Sequence, residues 1–194
     1  MRTIDNWYEE VPSEDRTSHA GLSSTAEATA KRCKTVAGLL NDFVPGSKPS
    51  ILDIGCGYGD LAKHLPDRFQ WTGCEPTHWV YANAIKTNPE LVGLVVRASF
   101  PNHEIWRAEE VDVAVALGIL ATTRPENLKG FIDEMLRVSR RGILVSFLLK
   151  GEWTDNNGLV PYSIREVSAC MPAWFMMEKQ ARGSTRFMYA SKHD

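Results

Sequence analysis

Ile51-Leu52-Asp53-Ile54-Gly55-Cys56-Gly57-Tyr58-Gly59-Asp60 is the stretch on which the reading of this chain turns. The apolar run Ile51 to Ile54 has the length and composition of a buried strand. Glycines at 55, 57 and 59 follow, then the amphipathic run Leu61-Ala62-Lys63-His64-Leu65. The pattern predicts a strand, a tight glycine turn and a helix reaching about Arg68. Glycine permits a left-handed backbone and lets a ligand approach with no Cβ in the way. The N–H groups of a helix's first turn attract a carboxylate or a hydroxyl. Gly55, Cys56, Gly57 and Gly59 are therefore expected to form a small-cofactor site at the carboxyl end of this strand, with Asp53 in the strand that leads into it.

Working outward, Phe69 to Glu75 reads as a second strand ending in an acid about 22 residues after Asp53. In α/β nucleoside sites such an acid accepts hydrogen bonds from both ribose hydroxyls, because a carboxylate offers two oxygens to two vicinal donors. Pro76 fixes the next turn, and Thr77 can cap a helix through Tyr81, Ala84 and Ile85. A dinucleotide fingerprint, G-x-G-x-x-G, would need its third glycine where Asp60 stands, and no Gly-Lys-Ser/Thr marks a phosphate loop. The pattern is instead D-x-G-x-G-x-G. It resembles motif I of the class I S-adenosylmethionine-dependent methyltransferases.

That resemblance spans roughly residues 24 to 191 and rests on motif I, the acid after the second strand and the order of elements. It implies an α/β fold: a Rossmann-like seven-stranded, mostly parallel sheet with an antiparallel last strand and helices on both faces. It implies S-adenosylmethionine as cofactor. It also implies that a cation from the preceding helix, Arg32 here, meets the cofactor carboxylate, and that Ala116, Leu117 and Gly118 at the end of the fourth strand face the cofactor. Members of the family usually carry an acid after the third strand that reads the adenine amine. In this chain that place falls on Ala98 or Ser99, so Ser99 or a backbone group is expected to substitute, with Phe100 packing on the ring. The Asn- or Asp-Pro-Pro-aromatic motif of base and glutamine N-methyltransferases is replaced by Leu117-Gly118-Ile119-Leu120. This argues against those acceptors.

The family's reaction is an in-line displacement at a sulfonium methyl, so the protein mainly aligns donor and acceptor. A hydroxyl or amine acceptor can need a base. His19, His78 and His103 are the candidates by residue type, His19 first because it lies in the polar arm over residues 1–22, which reads as a lid. Tyr8 and Tyr162 are further candidates to face the acceptor. Residues 23–194 are expected to form the cofactor-binding domain. With no appended recognition domain, a small-molecule acceptor is favoured. The alternative is a non-catalytic S-adenosylmethionine-binding protein or partner subunit, which the altered loop at Ala98-Ser99 favours.

Composition narrows the field further. At 194 residues the chain can hold one sizeable core. A formal net charge of −2 argues against a broad nucleic-acid-binding face. Four scattered cysteines, Cys33, Cys56, Cys74 and Cys170, contain no C-x-x-C pair, so neither a metal site nor a disulfide framework is expected. A polar N-terminus and the lack of a long apolar run point to a cytoplasmic protein that does not enter a membrane.

The remaining elements follow from periodicity. Ser23 or Ser24 can cap a first helix, with Glu27 completing a capping box and Ala26, Ala30, Cys33, Ala37 and Leu40 on its buried face. Leu91 to Val96 reads as the third strand and Val111 to Gly118 as the fourth. Leu128, Phe131, Ile132, Met135 and Leu136 form a helical apolar stripe behind Pro125. Arg140-Arg141-Gly142 is expected to end that helix. Ile143 to Leu149 is the fifth strand, and Tyr162 to Cys170 a short helix. Trp174 to Gln180 and Arg186 to Ala190 close the sheet as two final strands.

Overall fold

The structure, a computed structural model, describes residues 26–152, 158–172, 176–180 and 185–191. Seven strands form one sheet in the order β3-β2-β1-β4-β5-β7-β6. They are β1 (Ser50–Ile54), β2 (Gln70–Cys74), β3 (Val95–Val96), β4 (Val111–Ala116), β5 (Ser139–Leu148), β6 (Met176–Gln180) and β7 (Thr185–Ser191). Six have at least five residues, and β3 is a two-residue edge. The first five pair in parallel, while β7 runs antiparallel between β5 and β6. The helices are α1 (Ala26–Phe43), α2 (His78–Thr87), α3 (Pro125–Val138) and α4 (Ile164–Ser168).

The two-residue period of a strand sends alternate side chains to opposite faces, and both faces here are dry. On β4, Val113 and Val115 join one apolar cluster while Ala114 and Ala116 join the other. Leu144 likewise parts from Ile143 and Val145 on β5, and Phe187 and Tyr189 from Met188 and Ala190 on β7. One cluster is roofed by α1 through Cys33, Val36, Leu39 and Leu40. The other is roofed by α3 through Leu128, Phe131, Ile132 and Met135, with Leu136 half-buried beside them. Fully burying one such side chain stabilises the fold by about 1.5–3 kcal/mol. On α1 the buried face includes Thr29, Cys33, Val36, Ala37 and Leu40, while Ala30 is only half-buried.

Several expectations are corrected. After the glycine turn there is no helix to Arg68 but a single 3-10 turn at Ala62–His64. Pro66 holds Leu65 extended, at ψ 138°, and of residues 61–65 only Leu61 is buried, so neither backbone nor packing supports more turns. The third strand does not begin at Leu91: Pro89–Leu91 is a 3-10 turn and Gly93 has φ 81°, so extended pairing starts at Val95. Arg140-Arg141-Gly142 does not end α3 but lies in β5. Both arginines ion-pair with the buried Asp112 on β4, at 3.4 and 3.0 Å. Gly142 is required by close approach, since a Cβ there would lie 2.4 Å from the Ala190 carbonyl on β7. Thr77 stands at the N-cap of α2 but makes no side-chain cap. The short helix spans Ile164–Ser168, opened by a Ser163–Glu166 capping box. The expected lid, with Tyr8 and His19, and the Ser23/Ser24 cap lie outside the described residues.

Candidate functional site

β1 and β2 pair with Ile54 opposite Cys74, so the glycine turn and Glu75 leave adjacent strands at the same level. The turn is tied back across that gap: the Gly55 and Cys56 N–H groups both donate to the Cys74 carbonyl, at 2.8 and 3.0 Å. Gly55, Gly57 and Gly59 take φ of 66°, 55° and 71°, a region that side-chain-bearing residues rarely occupy. Close packing adds a second demand at Gly55, where a Cβ would lie 2.2 Å from Ile119 Cδ1. Gly73 on β2 is needed for a related reason, because a Cβ there would meet Cys56 Sγ at 2.6 Å. Thus the turn lies flat against the sheet end.

Glu75 is 5% exposed, and its carboxylate is held at both oxygens. Gly57 N donates to Oε2 at 3.2 Å and Thr77 N donates to Oε1 at 2.9 Å. These two backbone donors fix the orientation of the carboxylate. Pro76 between these contacts is exposed.

Asp53 lies one strand over, 3% exposed, and accepts from Trp71 Nε1 at 3.3 Å. Burial pushes its carboxyl up to about 7, against the Trp71 hydrogen bond; Asp60 and Glu75 raise it further and the Arg32 guanidinium opposes them. Arg32, on α1, is itself lowered from its ordinary value by burial, while Cys33, Asp60 and Asp53 act in the other direction. Its Nε is buried with no hydrogen-bond partner among the described residues. A half-buried cation with an orphaned donor, within electrostatic reach of Asp53 and Asp60, suits a ligand that carries both a carboxylate and positive charge.

At the end of β4, Ala116 is fully buried and Leu117 half-buried, so Ala116 can offer a ligand only its backbone. Gly118 turns the chain at φ 80°, and its N–H donates to the buried Ser146 hydroxyl of β5 at 2.7 Å. Ser99 stands exposed after β3, and Ala98 beside it is buried.

Two expected contacts fall elsewhere. Tyr162 does not face an acceptor: it is 2% exposed in the core, its hydroxyl donates to the Thr123 carbonyl at 2.6 Å, and burial pushes its phenol up to about 12. Phe100 meets Phe131 of α3 edge-on at 5.5 Å, so it packs into the sheet–helix core. His78 pairs with Arg97, and the largely exposed His103 lies 3.4 Å from Glu134 on α3; neither meets Asp53 or Glu75. Burial pushes the Cys33 and Cys74 thiols up to about 12 and Cys56 well above its ordinary value, so none is a ready nucleophile. No cluster of three or more His, Cys, Asp or Glu fit for a metal ion exists among the described residues. No helix among them is long and apolar enough to cross a membrane.

No local pattern marks Trp71 as the Asp53 partner, because that contact depends on register. Ile51 lies opposite Trp71 and Asp53 opposite Gly73, which puts the indole and the carboxylate on one face. Ser146 and Ile119 were equally silent, since each acts through a neighbouring strand or loop.

Residues 51–142 match the family model described as a methyltransferase domain. No curated protein matches the chain in sequence. Solved structures share its fold. A magnesium protoporphyrin IX methyltransferase from Synechocystis PCC 6803 with bound S-adenosylmethionine aligns at TM-score 0.66 and 14% identity, over 86% of this chain and 81% of that one. An S-adenosylmethionine-dependent methyltransferase from Leishmania major aligns at TM-score 0.74 and 15% identity, over 96% and 80%. DesVI of Streptomyces venezuelae aligns at TM-score 0.68 and 13% identity, over 93% and 99%.

Proposed function

We propose, from the match of residues 51–142 to a methyltransferase-domain model and a fold shared with S-adenosylmethionine-dependent methyltransferases, an enzyme that methylates a small-molecule acceptor. The observation that carries the reading is the Glu75 carboxylate, aimed by the Gly57 and Thr77 amides beside a turn of left-handed glycines. Glu75 would take the ribose hydroxyls. Gly55, Cys56, Gly57 and Gly59 would let the nucleoside thioether lie against backbone, with Pro76, Ser99, Ala116, Leu117 and Gly118 along its rim. Arg32 would pair with the amino-acid carboxylate, and its unsatisfied Nε fits that role. Asp60 and Glu75, whose charges both hold the Asp53 proton in place, would make the site favourable to positive charge.

When bound, the cofactor supplies a methyl group on a positively charged sulfur. The chain's own part is then alignment and exclusion of water. Gly118, whose N–H is held by Ser146, would form part of the wall across which an acceptor approaches. Arg97 donates to His78 and Tyr162 donates into the core, so no general base is assigned.

Calorimetric titration with S-adenosylmethionine, followed by a methyl-transfer screen over metabolite acceptors, tests the reading. Micromolar or tighter binding with transfer to a small acceptor is expected. Binding without transfer to any acceptor would favour the non-catalytic alternative, and no binding would remove both.

A further inference from the structure

The exit of β3 carries hydrogen-bond donors where an adenine amine would need an acceptor. β2 and β3 end side by side: Cys74 pairs with Val96, and the Glu75 N–H donates to the Val96 carbonyl at 3.1 Å. Strand order therefore puts Glu75 one strand out from the glycine turn and Arg97 one strand further. A nucleoside held by its sugar at Glu75, with its sulfur toward the glycine turn and Gly118, would have its base on the opposite side of the furanose, toward the β3 exit.

Adenine's exocyclic amine donates. The segment Arg97-Ala98-Ser99-Phe100-Pro101-Asn102 contains no carboxylate. Phe100 is packed against Phe131, and the Asn102 Oδ1 already accepts from the Glu104 and Ile105 N–H groups at 3.1 and 3.3 Å. What the rim presents instead is the exposed Ser99 hydroxyl, which can donate as well as accept, and an exposed pair, with Arg97 Nη1 and His78 Nδ1 2.9 Å apart. Arginine only donates, so the imidazole accepts through Nδ1 and carries its proton on Nε2. His78 opens α2 directly after Glu75-Pro76-Thr77, and Arg97 follows Val96, the strand neighbour of Cys74, so this pair stands just past the ends of β2 and β3.

We propose that this site reads its purine through ring and carbonyl acceptor atoms rather than through the 6-amino group. It therefore takes an inosyl thioether nucleoside as well as the adenosyl one, with Arg97 as the specificity-determining residue. The inference rests on the nucleoside reading of the cleft given above. On the edge concerned adenine offers N1 as an acceptor and hypoxanthine offers O6, so a donor at position 97 serves either. A carboxylate there would do the reverse, accepting from the amine and repelling O6.

The test is calorimetric titration of the full chain with S-adenosylhomocysteine and with S-inosylhomocysteine. A site built to hydrogen-bond one substrate group rejects an analogue lacking it by roughly ten-thousandfold. Here the two dissociation constants should agree within about tenfold, the scale of one neutral hydrogen bond. A larger preference for the adenosyl compound overturns the inference and leaves the cofactor reading standing. Binding of neither overturns both. In Arg97→Asp, an exposed position whose fold circular dichroism can verify, the adenosyl preference should rise by at least about tenfold. An unchanged ratio would remove Arg97 from the role.

Discussion

Replacing Asp53 by Asn should reshape how stability depends on pH. The carboxyl is buried and accepts from Trp71, and burial moves it from an ordinary value of 3.8 to about 7. The folded state therefore holds this proton more tightly than the unfolded chain does. Between those two values the native state binds more protons than the unfolded one, so the Asp53 contribution falls as pH rises. It is fully present below 3.8 and is lost as pH climbs through about 7. At about 1.4 kcal/mol per pH unit, the span corresponds to about 4 kcal/mol. An asparagine keeps an oxygen that can accept from Trp71 Nε1 and has no proton to lose. The variant should match the parent near pH 4 and exceed it in stability by up to about 4 kcal/mol at pH 8. Urea unfolding followed by circular dichroism at several pH values measures both curves. Parallel curves, with the same stability difference at pH 4 and pH 8, would refute the reasoning.

The other expectations test packing and contact separately. Glu75→Ala leaves the Gly57 and Thr77 amides without their acceptor and should weaken S-adenosylhomocysteine binding by at least about tenfold, read by titration. Gly73→Ala drives a Cβ to within 2.9 Å of both Cys56 side-chain atoms; it should destabilise the chain by about 1–3 kcal/mol and lower nucleoside affinity by displacing the turn. Tyr162→Phe removes the hydrogen bond to the Thr123 carbonyl at a cost of about 1 kcal/mol in denaturant unfolding. In a methyl-transfer assay its rate should equal the parent's, because the hydroxyl lies in the core; a large rate loss would restore the tyrosine as an acceptor-facing group.

What the sequence determined by itself was the order of the strands and the places where the first two end. Those features are local. An apolar run of strand length, glycines at alternate positions, and an acid closing the next strand each express a backbone or charge requirement within a few residues. The apolar stripe of α3 was legible for the same reason, since a 3.6-residue period survives without any partner.

Only the tertiary structure decided the rest, because the deciding contacts join distant residues. Leu61 to Leu65 looked helical in isolation, but Pro66 and the lack of a buried face reduce it to one 3-10 turn. Arg140 and Arg141 looked like a helix end until Asp112, on the neighbouring strand, drew them into β5. Tyr162 looked available until the fold buried it in the core, and the ionisation of Asp53 was set by burial, opposed by an indole 18 residues away. Charge, burial and register act through space, and a chain reveals them only once its strands are laid side by side.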